Sequence, residues 1–240
     1  MKTINLGSKI GGISPWAIWV GIFILVFGSI FLMASLGGGN SGSDTGAVLI
    51  DAVSPKDWGK GNAAAKTVLV EYGDFQCPAC LAYHGFVKQL LAEAGDQVVF
   101  VYRHFPLRNV HQFAQIASQS AEAAGKQGKF WEMYDLIYSN QTTWSKGNDG
   151  EKIFEEYAQS LGLNMDQFKK DRDSDEVENK IENDLQSGIR AQVQGTPTFY
   201  LNGMKIENPY SYDDFKKLVL ESQNAAPTPT SNAPATQPCS

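Results

Sequence analysis

The longest uninterrupted apolar stretch of this chain lies near its N-terminus. The 21 residues from Trp16 to Leu36 carry no charge, and Trp16 and Trp19 stand at one end, where interfacial aromatic residues are favoured. As a helix they would extend about 32 Å, which matches the ~30 Å hydrocarbon core of a membrane. The alternative is a cleaved signal peptide, whose apolar region usually has about 7–15 residues, and Met33-Ala34-Ser35-Leu36 is a poor cleavage site. We therefore predict an uncleaved transmembrane helix over residues 16–36.

The charges on either side of this segment predict its orientation. Lys2 and Lys9 precede it, and the first acidic residue is Asp44. Because positive residues stay in the cytoplasm, we expect residues 1–15 inside and residues 37–240 outside, in the periplasm or at the cell surface. The outer part has 18 basic and 26 acidic residues, a net charge of −8, which argues against nucleic acid as a partner. Outside the cytoplasm is also where protein disulfides persist.

Two polar stretches delimit the folded domain. Residues 37–45 are rich in Gly and Ser, so we expect them to form a flexible linker. Residues 224–240 are rich in Pro, Thr and Ala without any periodicity, so this tail is expected to be disordered. It contains Cys239, which we interpret as an incidental exposed thiol. The folded domain is therefore predicted to span residues 46–223.

The first half of the domain has a strand–helix–strand pattern. Thr67–Tyr72 is typical of a buried strand, and the helical segment after it carries apolar residues on one face. Val98–Tyr102 is the second strand. Two strands separated by one helix form a βαβ unit, which predicts parallel pairing of the strands.

The second half is helical from about residue 111 to 193. In the last of these helices apolar residues recur every four positions, at Val177, Ile181, Leu185, Ile189 and Val193. Strand character returns at 198–201 and 204–206, and Asn202-Gly203 between them is a strong hairpin signal. A final helix is predicted to begin near Ser211 as its N-cap and to pack Phe215, Leu218 and Val219.

Cys77-Pro78-Ala79-Cys80 stands between the first strand and its helix. A helix N-terminus offers unpaired N–H groups and a partial positive charge, and both stabilise a thiolate over a thiol. Cys77 is therefore predicted to be acidified and reactive, whereas a free cysteine has a pKa of about 8.5. The two-residue spacing allows Cys80 to close a disulfide with Cys77. This arrangement predicts a redox-active dithiol.

Four segments together resemble one protein family. They are EYGDFQCPAC at 71–80, YRHFPL at 102–107, QGKFWEMYDLIY at 127–138 and VQGTPTFYLNG at 193–203. With the order of elements, they resemble the DsbA-like branch of the thioredoxin superfamily. The resemblance implies an α/β, thioredoxin-like fold with a central helical insertion at about 111–193, here preceded by one transmembrane helix.

The resemblance also assigns roles to further residues. Pro197 matches the family's cis-proline opposite the disulfide, and the Thr196 backbone would pair with an extended substrate. Glu71 matches the buried acid that exchanges a proton with Cys80. Pro78 and Ala79 modulate the potential, and Ala79 departs from the histidine that DsbA has at this position.

The histidines allow an alternative interpretation of the motif as part of a zinc site. Cys80 with His84 and another histidine could complete a zinc site, although the spacing of His84, His104 and His111 is not that of a paired zinc motif. We expect His84 to be a partly exposed helix residue or a modest electrostatic neighbour rather than a catalyst, and His104 and His111 to be structural. The aromatic residues Phe130, Trp131, Tyr134 and Trp144 are expected to belong to the core rather than to a groove.

The sequence thus predicts an extracytoplasmic thiol–disulfide oxidoreductase that forms disulfides in exported proteins. A reductase or isomerase using the same cysteines is the alternative within this chemistry, and a non-catalytic zinc-binding or adhesive surface module is the alternative outside it. No metal, nucleotide or flavin cofactor is implied, because the cysteines themselves carry the electrons. The resemblance implies cysteine-containing exported substrates and a membrane partner that recycles the dithiol, either a quinone-linked oxidase or a reductase.

Overall fold

The computed structural model describes residues 47–49 and 51–222. Within them lie five strands and eight helices in the order β1, β2, α1, β3, α2 to α7, β4, β5, α8. The strands are β1 (Trp58–Gly61), β2 (Thr67–Gly73), β3 (Val98–His104), β4 (Thr198–Leu201) and β5 (Met204–Lys205). The helices are α1 (Pro78–Ala94), α2 (Ala114–Lys126), α3 (Phe130–Ser139), α4 (Gln141–Trp144), α5 (Gly150–Ser160), α6 (Met165–Arg172), α7 (Asp175–Arg190) and α8 (Tyr212–Glu221).

The strands form one mixed sheet in the order β1-β3-β2-β4-β5. β2 and β3 pair in parallel and are joined through α1, so the predicted βαβ unit is confirmed. β4 runs antiparallel to β2, and the Asn202-Gly203 turn joins it to β5 as expected. The sequence pattern did not predict β1, which pairs antiparallel with β3. Two of the four residues of β1 are glycine, and glycine is depleted in strands.

The helical insertion lies between β3 and β4, where it was predicted. Helices α2 to α7 occupy residues 114–190. The aromatic side chains of α3 to α6 pack in the same core cluster as α1, whereas Leu185 of α7 packs with Val70 and Tyr72 of β2 in a second cluster. Phe130, Tyr134 and Trp144 are buried, and Trp131 is half-buried against the first of these clusters. These four residues therefore belong to the core, as the sequence predicts.

Two predicted core positions are wrong. Ile189 is 52% exposed and Leu218 is 37% exposed. A spacing of four residues advances about 40° beyond a full turn of a 3.6-residue helix, so Ile189 has rotated away from the buried face that begins at Val177. Val193 lies beyond the end of α7. In α8 the buried positions are Phe215 and Val219, while the predicted N-cap Ser211 is confirmed by its hydrogen bond from the N–H of Asp214.

Several predicted segments fall outside the described residues. These are the N-terminal residues 1–15, the apolar run 16–36, the linker 37–45 and the tail 224–240 with Cys239. None of the described helices is both long enough and apolar enough to cross a membrane.

Candidate active site

The two cysteines of the motif occupy the start of α1. β2 ends at Gly73, a short loop follows, and Cys77 takes the N-cap position with Pro78 as the first helical residue. Proline suits this position because the first N–H groups of a helix have no partner within it. Pro78 and Ala79 are exposed, Cys77 is 8% exposed and Cys80 is fully buried. Both cysteines are free thiols. Because Cys77 is the more exposed of the two, an incoming sulfur reaches it before Cys80.

The surroundings of Cys77 favour its thiolate. A hydrogen bond from the Cys80 thiol contributes most, and Thr196 and the backbone N–H groups of Cys80 and Ala79 add to it. Together they outweigh the effect of burial and lower the pKa of Cys77 to about 5. As a thiol, Cys77 donates instead to the backbone oxygen of Thr196, with Sγ and O 3.2 Å apart. The predicted acidity of Cys77 thus has a physical basis in the structure.

Cys80 has the opposite character. Burial raises the pKa of Cys80 well above its ordinary value, and the hydrogen bond to Cys77 and the nearby Glu71 carboxyl raise it further. The N–H of Asp74, 3.5 Å from the Cys80 sulfur, acts in the other direction. The dithiol therefore consists of one thiol that ionises readily and one that holds its proton.

Glu71 lies on β2 beneath the dithiol, where the resemblance implies a buried acid. Its side chain is fully buried, and neither carboxyl oxygen has a hydrogen-bond partner among the described residues. Burial, and then the negative charge of Cys77, raise the pKa of Glu71 to about 8. Near neutral pH this residue can therefore both hold and release a proton.

The loop that precedes β4 completes the site. The Thr196–Pro197 peptide bond is cis, as the resemblance implies. The contact between Cys77 and the Thr196 oxygen places this loop against the reactive sulfur. Asn208 donates from its side chain to the Pro197 oxygen at 2.8 Å and so ties the loop to the segment before α8. The structure thus brings Thr196 and Pro197 to Cys77 from 119 residues along the chain.

The expectation that His84 is partly exposed is wrong. Its side chain is buried, with 6% exposure, because its imidazole packs against Tyr134 and Tyr138 and lies 2.9 Å from an oxygen of Asp135. In the zinc alternative His84 would instead face a metal together with Cys80.

Carboxylates also accompany the other two histidines. His104 lies 2.8 Å from Glu122 and His111 lies 2.8 Å from Asp74. In the described part of the chain, the only cluster of metal-ligand type is His104, Glu122 and Asp184, and it contains no cysteine. The Lys180 ammonium enters this cluster and lies 2.6 Å from Asp184, which makes it an ion network with its own internal cation.

Sequence reasoning missed the polar residues that hold the loop before the dithiol. The Gln141 amide is buried and donates to the backbone oxygens of Phe75 and Cys77, at 2.7 and 2.9 Å. Gln76 accepts from the N–H of Phe113 at 2.7 Å. Gln141 begins α4 within the helical insertion. The insertion therefore contributes directly to the shape of the loop that carries Cys77.

Comparison with known proteins supports this fold. The sequence profile of a family described as thioredoxin matches residues 54–221. Among solved structures, similar ones are a thioredoxin-like oxidoreductase from Silicibacter pomeroyi (TM-score 0.63, 22% identity, 78% of this chain and 100% of that one) and oxidised BdbD from Bacillus subtilis (0.65, 20%, 75% and 99%). The catalytic domain of Proteus mirabilis ScsC is also similar (0.59, 20%, 76% and 96%).

The curated relatives that the sequence matches are named as Na(+)/H(+) antiporters. The chain is 34% identical over 178 residues to the Na(+)/H(+) antiporter NhaA 3 of Salinispora tropica and 36% identical over 178 residues to NhaA 1 of Salinispora arenicola. These matches cover 72% of this chain but only 26% of each relative. The name of the whole relative therefore does not transfer to this chain. The family match covers most of the domain, and it identifies the chain as a member of the thioredoxin family.

Proposed function

We propose that this protein acts outside the cytoplasm and forms disulfides in exported proteins through Cys77 and Cys80. The observation that carries the proposal is the position of Cys77 at the N-cap of α1, where it is 8% exposed beside the fully buried Cys80 and lies 3.2 Å from the Thr196 oxygen. This position favours the Cys77 thiolate. A stabilised Cys77 thiolate favours the reduced dithiol over the disulfide, and a disulfide that is readily reduced is a good oxidant.

The oxidising reaction begins at Cys77, the accessible member of the pair. A substrate thiolate forms an S–S bond with the Cys77 sulfur, the Cys77–Cys80 bond breaks, and its electron pair stays on Cys80. The second substrate thiolate then attacks the substrate sulfur of the mixed disulfide and releases Cys77 as a thiolate. Two electrons have passed from the substrate dithiol to the protein. The Thr196 backbone beside Cys77 offers the substrate chain a place to pair in extended form.

Glu71 manages the proton in this scheme. When Cys80 leaves as a thiolate in a buried site, it must take up a proton, and the protonated Glu71 carboxyl is its buried neighbour. In the reducing direction the same pair works in reverse: Glu71 accepts the proton of Cys80, which then attacks the mixed disulfide on Cys77. The buried Glu71 carboxyl, whose oxygens have no hydrogen-bond partner among the described residues, is thus the observation that keeps a reductase or isomerase as the second candidate.

The location and the partners are part of the proposal. The apolar run 16–36 after Lys2 and Lys9 supports a single membrane anchor with the domain outside. The substrates proposed are exported proteins with cysteines. A membrane redox protein would recycle the Cys77–Cys80 pair: a quinone-linked oxidase would restore the disulfide, or a reductase would restore the dithiol.

A stoichiometric refolding assay tests the direction of the reaction. The Cys77–Cys80 disulfide form is mixed with an equal amount of a reduced, unfolded substrate that has two cysteines, and both proteins are sampled by acid quench and mass spectrometry. We expect one substrate disulfide per reduced protein, and none with Cys77→Ala. Efficient reduction of insulin by the dithiol form, with no oxidation of the substrate, would instead establish the reductase alternative.

A further inference from the structure

The Asp74 carboxylate lies fully buried in the loop between β2 and Cys77. One of its oxygens accepts from the N–H of Gln76 at 2.7 Å. The other accepts from the N–H of Leu107 at 2.8 Å and lies 2.8 Å from Nδ1 of His111. Leu107 and His111 belong to the segment after β3. The carboxylate therefore fastens the loop before the dithiol to a separate part of the chain.

The backbone of the same residue faces both cysteines. The N–H of Asp74 is directed at the Cys80 sulfur, with N and Sγ 3.5 Å apart. The carbonyl oxygen of Asp74 accepts from the N–H of Cys77 at 3.1 Å and from the Tyr138 hydroxyl at 3.4 Å. The orientation of the N–H toward Cys80 thus depends on bonds at both ends of residue 74.

We propose that Asp74 is a positioning residue for Cys80: its side-chain network holds its own backbone N–H against the sulfur that leaves when a thiolate opens the disulfide. The inference rests on the proposed oxidoreductase function. As the attacking sulfur bonds to Cys77, the electron pair of the Cys77–Cys80 bond passes to the Cys80 sulfur, which accepts the hydrogen bond from the Asp74 N–H. The thiolate so formed then takes a proton. A hydrogen bond to a charged acceptor is stronger than one to a neutral acceptor, so the N–H contributes most at this moment.

Asp74 could also influence Cys80 through its charge alone. That alternative predicts the opposite change in the ionisation of Cys80 when Asp74 is substituted. A carboxylate near a sulfur disfavours the thiolate, so its removal by charge alone would make Cys80 ionise more readily. The loss of a correctly placed N–H would make Cys80 ionise less readily. The direction in which the ionisation of Cys80 changes when Asp74 is substituted therefore distinguishes a positioning role from a purely electrostatic one.

The experiment measures the reactivity of Cys80 directly. In full-length protein with Cys77→Ala and Cys239→Ser, so that Cys80 is the remaining cysteine, the rate of iodoacetamide alkylation is recorded against pH, with and without Asp74→Ala. We expect Asp74→Ala to slow alkylation at a fixed pH by about tenfold and to move the titration of Cys80 upward, as the loss of a hydrogen bond to a charged group predicts. In the protein with both cysteines, we expect reduced glutathione to open the disulfide more slowly by a similar factor.

Matched variants control for folding and for charge. Asp184 is another buried carboxylate that accepts a hydrogen bond from a backbone N–H, that of His104. Asp184→Asn should leave the alkylation rate of Cys80 within about twofold of the parent rate, as expected for independent sites. If Asp74→Ala does not fold, Asp74→Asn and His111→Ala each weaken the same network and should slow Cys80 by about two- to fivefold. Circular dichroism confirms that the variants compared are folded.

Two outcomes would overturn the inference: alkylation of Cys80 that is faster in the Asp74 variants, or alkylation that is unchanged in every folded variant of the network. Neither measurement needs a protein substrate. If the refolding assay fails while Asp74→Ala still slows Cys80, the proposed direction of catalysis falls and the positioning role of Asp74 stands.

Discussion

Cys77 gives the reduced protein a pH dependence that the disulfide form lacks. The pKa of Cys77 is about 5 in the folded protein, below its value in an unfolded chain, so its stabilising contribution is complete at high pH and is lost as pH falls toward 5. We expect the free energy of unfolding of the dithiol form, measured relative to the disulfide form, to rise between about pH 5 and 8.5, by at most about 1.4 kcal/mol per unit.

Chemical denaturation of both forms over this range tests the expectation. The disulfide form is the matched control, because it retains Glu71 and all surface charges. A difference between the two forms that does not vary with pH would show that Cys77 is not the acidified thiol.

Glu71 has a pH dependence of the opposite sign. Its pKa is raised to about 8, so it keeps its proton in the folded protein while an unfolded chain releases it above about pH 4.3. The folded state is therefore penalised progressively as pH rises from about 4.3 to 8. We expect Glu71→Gln to raise the free energy of unfolding at pH 8 by about 2–3 kcal/mol and to change it little at pH 4.

The same substitution should slow the reaction that needs a proton acceptor. In the Glu71→Gln variant, a single-turnover reduction of a substrate disulfide should resolve its mixed disulfide more slowly at pH 7, since Cys80 has lost the neighbour that takes its proton. Equal stability of the variant and the parent protein at pH 8 would contradict the raised pKa.

At the scale of elements, local patterns predict most of the fold and part of the site. The strand before Cys77, the helix after it and the cap at Ser211 each follow from neighbouring residues. The contacts of Asp74 with His111 and of Gln141 with Cys77 join residues 37 and 64 positions apart. No local pattern marks such pairs, so the network that holds the loop before the dithiol becomes visible only in three dimensions.

We expect the N-terminus of α1 to influence the reduction potential of the Cys77–Cys80 couple as well. Ala79 is exposed in the first turn, and its side chain has neither a charge nor a donor for Cys77. Ala79→His adds a cation or donor there, which stabilises the thiolate and hence the reduced form. We expect the potential of the Cys77–Cys80 couple to become more oxidising by about 30 mV or more, since about 30 mV corresponds to a tenfold change in the equilibrium constant.

Equilibration with glutathione measures this shift. Ala82→His is the matched control, because Ala82 is exposed on the same helix one turn further on. Its potential should remain close to that of the parent protein. A potential that is unchanged or more reducing in Ala79→His would mean that this position does not stabilise the Cys77 thiolate.

At the scale of the whole molecule, the chemistry proposed for the domain depends on its compartment. A disulfide whose reduced form is stabilised can oxidise substrates repeatedly only where the dithiol produced by each reaction is reoxidised, which fits an oxidising compartment better than the cytoplasm. The apolar run 16–36 and the basic residues Lys2 and Lys9 predict that placement. We therefore expect the full-length protein to stay with the membrane after carbonate extraction and to lose its domain when intact cells or spheroplasts are shaved with protease.

A variant that lacks residues 1–36 is the matched control for this anchor. It should remain in the soluble fraction and resist protease in intact cells, because nothing then carries the domain across the membrane, while the purified domain keeps its dithiol chemistry. Mass spectrometry of the full-length protein recovered from cells distinguishes the two N-terminal alternatives. An intact N-terminus in the membrane fraction fits the anchor, whereas a soluble product that begins near Ser35 would restore the signal-peptide alternative, since cleavage there removes the apolar run and releases the domain.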